Sequence, residues 1–186
     1  MDTMSRLNVV YPVRKKPMRQ TRERIMAAVR ALLEEGRFHE STVEEVAALA
    51  GVSRATLYQH FGSRVGLVDA MCDVFDANPA LIAIRETSDV DELIVLVTDF
   101  WEAEEKVLTE LYGVAAVDPA AHALVERQRR DRHGEIRRLL GPGRDRRPFA
   151  VLSLLTSFET YVELRRTVGM SKREVVRTLQ DLVRSS

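Results

Sequence analysis

The chain has 186 residues, 45% of them apolar, enough to bury a core and too many for a disordered chain. Its 28 Lys and Arg balance 28 Asp and Glu, so bulk charge alone points to no polyanionic or polycationic partner. One cysteine, Cys72, excludes an intrachain disulfide framework and a Cys-based metal site, and no apolar run reaches the roughly 18 residues of a transmembrane helix.

Cys72 falls in a helical pattern, where a free thiol packs as a small hydrophobe. The N-terminus lacks an apolar signal-peptide core, so a cytoplasmic protein is expected. The charge is unevenly spread: residues 1–66 carry 11 Lys and Arg against 7 Asp and Glu, and residues 67–186 carry 17 against 21. A basic front and an acidic back fit a nucleic-acid-binding head on a separate body.

Residues 1–18 show no periodicity, hold Pro12 and Pro17, and read as a flexible arm with Arg14, Lys15, Lys16 and Arg19 at its end. From Gln20 the pattern turns helical, with Ile25, Val29, Leu32 and Leu33 on one face and Gly36 as the stop. Thr42 and Glu45 have capping-box spacing and open the next helix, whose stripe is Val43, Val46, Ala47 and Ala50 and whose end is Gly51. Ser53 caps a short helix, Arg54–Phe61, and Val52 with Leu57 makes its hydrophobic staple. Gly62-Ser63 ends that helix and starts a fourth, to about Phe75.

Asn78-Pro79 breaks the chain, and residues 79–88 admit a short helix. Val90–Lys106 and Val107–Ala116 read as two helices. Asp118 caps a helix with Pro119 at its first position, running to about Leu140. Gly141-Pro142-Gly143 is a loop. Pro148–Val168 reads as one long helix, and Ser171 with Glu174 forms a capping box for the last, to about Arg184. No strand pattern competes, so the fold class is all-α.

Two short helices joined by Gly51-Val52-Ser53 have the form of a helix-turn-helix. At about 100° per residue, Leu57 and Phe61 of the second helix point inward and Ala55 and Gln59 outward, with Thr56 and Tyr58 beside them. That face carries no carboxylate, as proximity to a phosphate backbone requires. Ala55 permits close approach to a thymine methyl, Gln59 suits adenine and Arg54 guanine. Ser53, Thr56, Tyr58 and His60, with Arg64, suit phosphates, and the basic arm suits an adjacent minor groove. Three ordinary core helices with a polar face would share much of this pattern.

Residues 42–67, TVEEVAALAGVSRATLYQHFGSRVGL, resemble the signature of the TetR (tetracycline-repressor type) family. The resemblance lies in Thr42, Val46-Ala47, Ala50-Gly51-Val52-Ser53, Thr56-Leu57-Tyr58, His60-Phe61 and the basic Arg64 before Leu67, and it spans residues 20–70. It implies a homodimeric repressor with a three-helix DNA-binding head (19–66) and a helical ligand-binding and dimerisation body (67–186). It also implies DNA contacts at the positions of Thr42, Ser53, Arg54, Ala55, Thr56, Tyr58, His60 and Arg64. Gly66 stands where a better helix former is usual, and is expected to loosen the fourth helix by about 1 kcal/mol of propensity.

In the body, Pro148–Val168 is apolar nearly all round and the last helix carries Val175, Val176, Leu179, Leu182 and Val183. Doubled by symmetry, these would make a four-helix dimer interface with Phe158 and Val162 on its face; a buried hairpin within one chain is the alternative. Phe100, Trp101, Tyr112, Phe158 and Tyr161 are the large groups expected to line an inducer cavity, though core packing would explain each singly, and His122 reads as a solvated histidine. The run Arg127, Arg129, Arg130, Arg132, Arg137, Arg138 is interleaved with acids and reads as a solvated face. An enzyme is not expected: the four histidines have no H-x-x-x-H spacing, and neither a phosphate-cradling glycine loop nor G-x-S-x-G occurs. No cofactor and no metal are expected. The expected partners are a palindromic duplex operator, a second copy of the chain and a small-molecule inducer, with no membrane; the alternative is a helical partner-binding module whose helix-turn-helix is not used on DNA.

Overall fold

The computed structural model describes residues 15–76, 78–143 and 146–185, with all their side chains except those of residues 15–17, 64, 72, 73, 76 and 120. Ten α-helices and no strand occur among the described residues. The N-terminal unit comprises α1 (Lys15–Glu34), α2 (Val43–Leu49) and α3 (Arg54–Phe61), and α4 (Arg64–Asp76) leads from it into the body. The body follows as α5 (Pro79–Glu86), α6 (Val90–Ala115), α7 (Pro119–Leu140), α8 (Arg146–Leu155), α9 (Phe158–Val162) and α10 (Lys172–Arg184).

Local chemistry fixes most helix starts. Ser53 Oγ accepts from Thr56 N at 3.0 Å, Asn78 Oδ1 from Ala80 N at 2.9 Å, and Asp118 Oδ1 from Ala121 N at 3.2 Å. Ser171 and Glu174 close a reciprocal capping box. At α2 only half of the expected box forms: Thr42 Oγ1 accepts from Glu45 N at 3.1 Å, but the Glu45 carboxylate turns to Arg37, 2.7 Å away.

Three expectations need correction. Helix α1 begins at Lys15, inside the expected arm, because Pro17 falls in its first turn, where no intrahelical N–H is required; residues 1–14 lie outside the described residues, as do the side chains of Lys15, Lys16 and Cys72. The two helices expected over 90–116 are one. The buried stripe Val97, Phe100, Trp101, Glu104, Val107, Leu108, Leu111 runs unbroken through Lys106. Conversely, the expected Pro148–Val168 helix breaks at Thr156-Ser157. There Thr156 Oγ1 bonds back to the Leu152 carbonyl at 2.6 Å, and Ser157 starts a new helix by capping Thr160 N at 3.1 Å. The break is tolerated because its freed acceptors are satisfied: Trp101 Nε1 donates to the Thr156 carbonyl and Arg132 Nη1 to the Ser153 carbonyl. A π-helical turn, Glu163–Thr167, then continues α9.

Gly66 also differs from its expected role. A Cβ there would lie 1.9 Å from the Phe61 carbonyl oxygen. The glycine therefore lets α4 start against the end of α3. Gly66→Ala should destabilise the protein by about 1–3 kcal/mol despite alanine's better helix propensity; a urea melt showing equal or greater stability would return Gly66 to a mere loosening of α4.

A continuous apolar core joins head and body. Ile25, Val29, Leu32, Leu57 and Leu67 are almost wholly buried in the head, as are Ile94, Leu108, Leu124 and Ile136 in the body. Polar contacts reinforce the junction. Arg30 of α1 reaches Glu104 of α6 at 2.7 Å, Glu104 being buried and also accepting from Asn78. His39, after α1, meets Glu110 of α6 at 2.8 Å. The bond to Glu110 raises the His39 imidazole above its ordinary 6.5. The folded state thus favours protonated His39, so this contact is complete below about pH 6.5 and fades as pH rises through the raised value. Stability measured by urea from about pH 6 to about pH 8 should fall more steeply for the wild type than for His39→Gln; parallel profiles would remove His39 from the junction's pH response.

Candidate nucleic-acid interface and internal cavity

Helix α3 is held by its inward side chains. Leu57 is fully buried and Phe61 nearly so, while Val52 at the turn is half-buried. The turn itself depends on Gly51, whose φ of 62° is a left-handed conformation. Arg24 of α1 locks it from behind: its Nη2 donates to the carbonyls of Ala50 at 2.5 Å and Gly51 at 2.7 Å. These are orphan acceptors at the end of α2. A Cβ on residue 51 would approach that same Nη2 to 2.7 Å. Arg24 was invisible to pattern reading, since nothing local distinguishes it from the other arginines of α1.

Most of the residues expected on the outer face are exposed. Ser53, Arg54, Ala55, Tyr58 and Gln59 are exposed and belong to α3 or its cap, and exposed Thr42 caps α2. Thr56 and His60 are half-buried; the Thr56 hydroxyl bonds Ser53 Oγ at 2.8 Å, and the His60 ring lies 6.1 Å from that of Phe61. Arg64 begins α4, its side chain outside the described residues. The outer face is thus a short helix of hydrogen-bonding groups around a small centre at Ala55.

One carboxylate does adjoin this face, although α3 itself has none. Glu44 of α2 binds Arg54 Nη1 at 2.6 Å, and the Arg54 guanidinium sits 5.3 Å from the Tyr58 ring centre. Hydrogen bonding to Tyr58, then the charge of Glu44, raises Arg54 further above its already high value. Arg54 is therefore held as a cation, tethered to Glu44 across the gap between α2 and α3. Glu44→Gln should tighten duplex binding several-fold at low salt by freeing Arg54 and removing a charge that repels phosphate; unchanged or weaker binding would show that the tether positions Arg54 rather than restrains it.

In the body, a cavity of about 70 Å³ lies between α4, α5, α6 and α7. Phe75, Leu81, Ile84, Val97, Phe100 and Trp101 make it apolar, and Arg85 with the α7 residues Arg127, Gln128, Asp131, Arg132 and Glu135 makes its rim polar. Of the aromatic groups expected at a cavity, Phe100 and Trp101 line it. Tyr112, Phe158 and Tyr161 lie outside its lining, in a packed row: Trp101 to Phe158 at 5.5 Å, Phe158 to Tyr112 at 5.0 Å, Phe158 to Tyr161 at 6.2 Å. Burial pushes the Tyr112 hydroxyl up to about 12. His122 is exposed. The arginine-rich face of α7 is largely solvated and paired, as with Arg129 and Glu126, but half-buried Arg132 and exposed Arg138 also donate to backbone carbonyls of other elements. Among the described residues no His, Cys, Asp and Glu cluster suits a metal ion, and no helix is long and apolar enough to cross a membrane.

Residues 25–71 match a family model described as bacterial regulatory proteins, tetR family. The chain is 32% identical over 153 residues to Rv0767c, an HTH-type transcriptional regulator of Mycobacterium tuberculosis, covering 78% of this chain and 70% of that one. In fold it resembles Salmonella enterica GusR, with a TM-score of 0.68 at 20% identity over 88% of this chain and 93% of that one. It also resembles NalD, the secondary repressor of the MexAB-OprM multidrug efflux pump in Pseudomonas aeruginosa, with a TM-score of 0.67 at 18% identity over 89% of this chain and 96% of that one. At these identities the solved structures speak for the fold alone.

Proposed function

Since the chain belongs to the tetR family of bacterial regulatory proteins and is a transcriptional regulator, we propose that it is a repressor that binds a palindromic operator as a homodimer and is released by a small-molecule inducer. The observation that carries the reading is the outer face of α3, where Ser53, Arg54, Ala55, Tyr58 and Gln59 stand exposed on a helix pinned by Leu57 and Arg24. Ala55 and Gln59 read base edges; Thr42, Ser53, Thr56, Tyr58, His60 and Arg64 fix register on phosphates; Arg54 leaves Glu44 to join them. The reading head comprises α1 to α3, from Lys15 to Phe61, and the body follows from α4.

Dimerisation would use apolar surface that the single chain leaves bare. Leu154 of α8, Val168 after the π-turn and Leu182 of α10 are 66%, 56% and 48% exposed, and Val151, Leu155, Val176 and Val183 on the same two helices are half-buried. A second copy would cover them and set two α3 helices about 34–36 Å apart, one turn of DNA. Phe158, once expected on that face, is instead 3% exposed within the chain's own core, so Leu154 is the residue through which to test the interface.

Induction would act through α4. That helix packs on α3 at one end and supplies Phe75 to the cavity at the other. A benzene-sized guest needs about 150 Å³, roughly twice the room present, so a ligand must displace the cavity wall. A ligand that fits better with α4 displaced favours the state in which the two heads are misplaced for the operator. Phe100 and Trp101 would touch it directly; Tyr112, Phe158 and Tyr161 would back them.

Selection of bound duplexes from a random pool tests the reading. The expected result is an enriched inverted repeat with half-sites one helical turn apart. Enrichment of no sequence, or of a single unrepeated half-site, would contradict it.

A further inference from the structure

The cavity's rim is not evenly compensated. Asp131 and Glu135 are engaged by cations, Asp131 by Arg127 at 3.9 Å and Glu135 by Arg138 at 2.8 Å. Arg132 between them is different. It is half-buried, and among the described residues no carboxylate lies within ion-pair distance of it. Its hydrogen bonds both leave from Nη1 and end on neutral oxygens, the Ser153 carbonyl at 2.7 Å and Thr156 Oγ1 at 3.0 Å. Tyr112 and then Glu159 favour its charge without bonding to it, and Glu159 is itself bound to Arg129 at 3.0 Å. Burial pulls the guanidinium below its ordinary value, as expected for a cation held without a counter-charge. A guanidinium presents its N–H groups as a planar fork. Nη1 is committed to Ser153 and Thr156 at the end of α8, while Nε and Nη2 have no partner among the described residues and are not sealed off from solvent.

We propose that the cavity takes an amphipathic monoanion, an aromatic or aliphatic carboxylate whose acid group is received by the Nε and Nη2 edge of Arg132 and whose apolar body lies on Ile84, Phe100 and Trp101. This rests on the reading of the cavity as the effector site and names its ligand class. The fork matches a carboxylate bidentately, and the partial burial that leaves Arg132 uncompensated strengthens its attraction for an anion. A neutral molecule of the same shape fills the apolar floor equally well but leaves the guanidinium as it was. The charge should therefore decide between them.

Trp101 lines the cavity and is the chain's single tryptophan, so its fluorescence reports occupancy. Benzoate, phenylacetate and octanoate are titrated beside their neutral amides. At least one acid should give a saturable change with a Kd ten or more times tighter than its amide, Arg132→Gln should abolish that preference, and Arg132→Lys should keep part of it. Because Arg132 also supports the α8–α9 break, circular dichroism checks the variants, and the acid-against-amide comparison in the wild type stands without them. Equal binding of acid and amide, or an acid preference untouched by Arg132→Gln, overturns the anion assignment and leaves the cavity a ligand site. Binding of none of the six probes overturns both readings.

Discussion

Leu154→Glu should convert the proposed dimer to a monomer and lower operator affinity by about 10²-fold or more. Leu154 is 66% exposed on α8, too far from solvent-excluded packing for a charge there to unfold the chain. In a twofold assembly the same residue appears on both sides of the interface, so one substitution places two carboxylates in an apolar seam with Val168 and Leu182. Desolvating them without partners costs several kcal/mol. DNA affinity falls with the dimer because the second head then no longer binds at the high effective concentration the first creates. Sedimentation of the variant as an unchanged dimer would move the interface away from α8.

The second large effect belongs to α3. Tyr58→Ala should weaken binding to all duplexes alike, while Gln59→Ala should cost about 1–3 kcal/mol at one base position and relax preference there. The two residues are adjacent and exposed but differ in surroundings. Tyr58 supports the Arg54 guanidinium at the end where α3 meets the Glu44 tether, whereas Gln59 shares the central outward face with Ala55. Competition assays against specific and random duplexes separate the two: a Tyr58→Ala variant that lost only sequence preference would exchange the roles assigned here.

The head was legible in the sequence because its determinants are local. Ser53 and Thr42 cap helices three residues ahead of the N–H groups they bind, Gly51 marks a left-handed turn, and Leu57 and Phe61 sit one turn apart. What was missed depends on partners far along the chain. Gly66 reads as a poor helix former until the Phe61 carbonyl is seen beside it. Arg24 and Arg132 look like any surface arginines until their acceptors, Ala50 and Gly51 for one and Ser153 and Thr156 for the other, come into place. The α8–α9 break escaped for the same reason: Thr156-Ser157 is a weak local stop that becomes stable only once Trp101 and Arg132 satisfy the oxygens it frees. Glu44 carries no local sign of its reach to Arg54, which requires the angle between two helices.

The most direct test of the account is duplex binding as a function of salt, using a selected inverted repeat and a scrambled control of equal length. Neutralising several phosphates should make affinity fall by about 10³-fold or more between about 50 and about 200 mM salt, with the repeat bound far more tightly than the control throughout and Gln59→Ala narrowing that gap. Absence of salt-sensitive binding to any duplex would contradict the central claim and leave a helical module whose α3 face serves a protein partner.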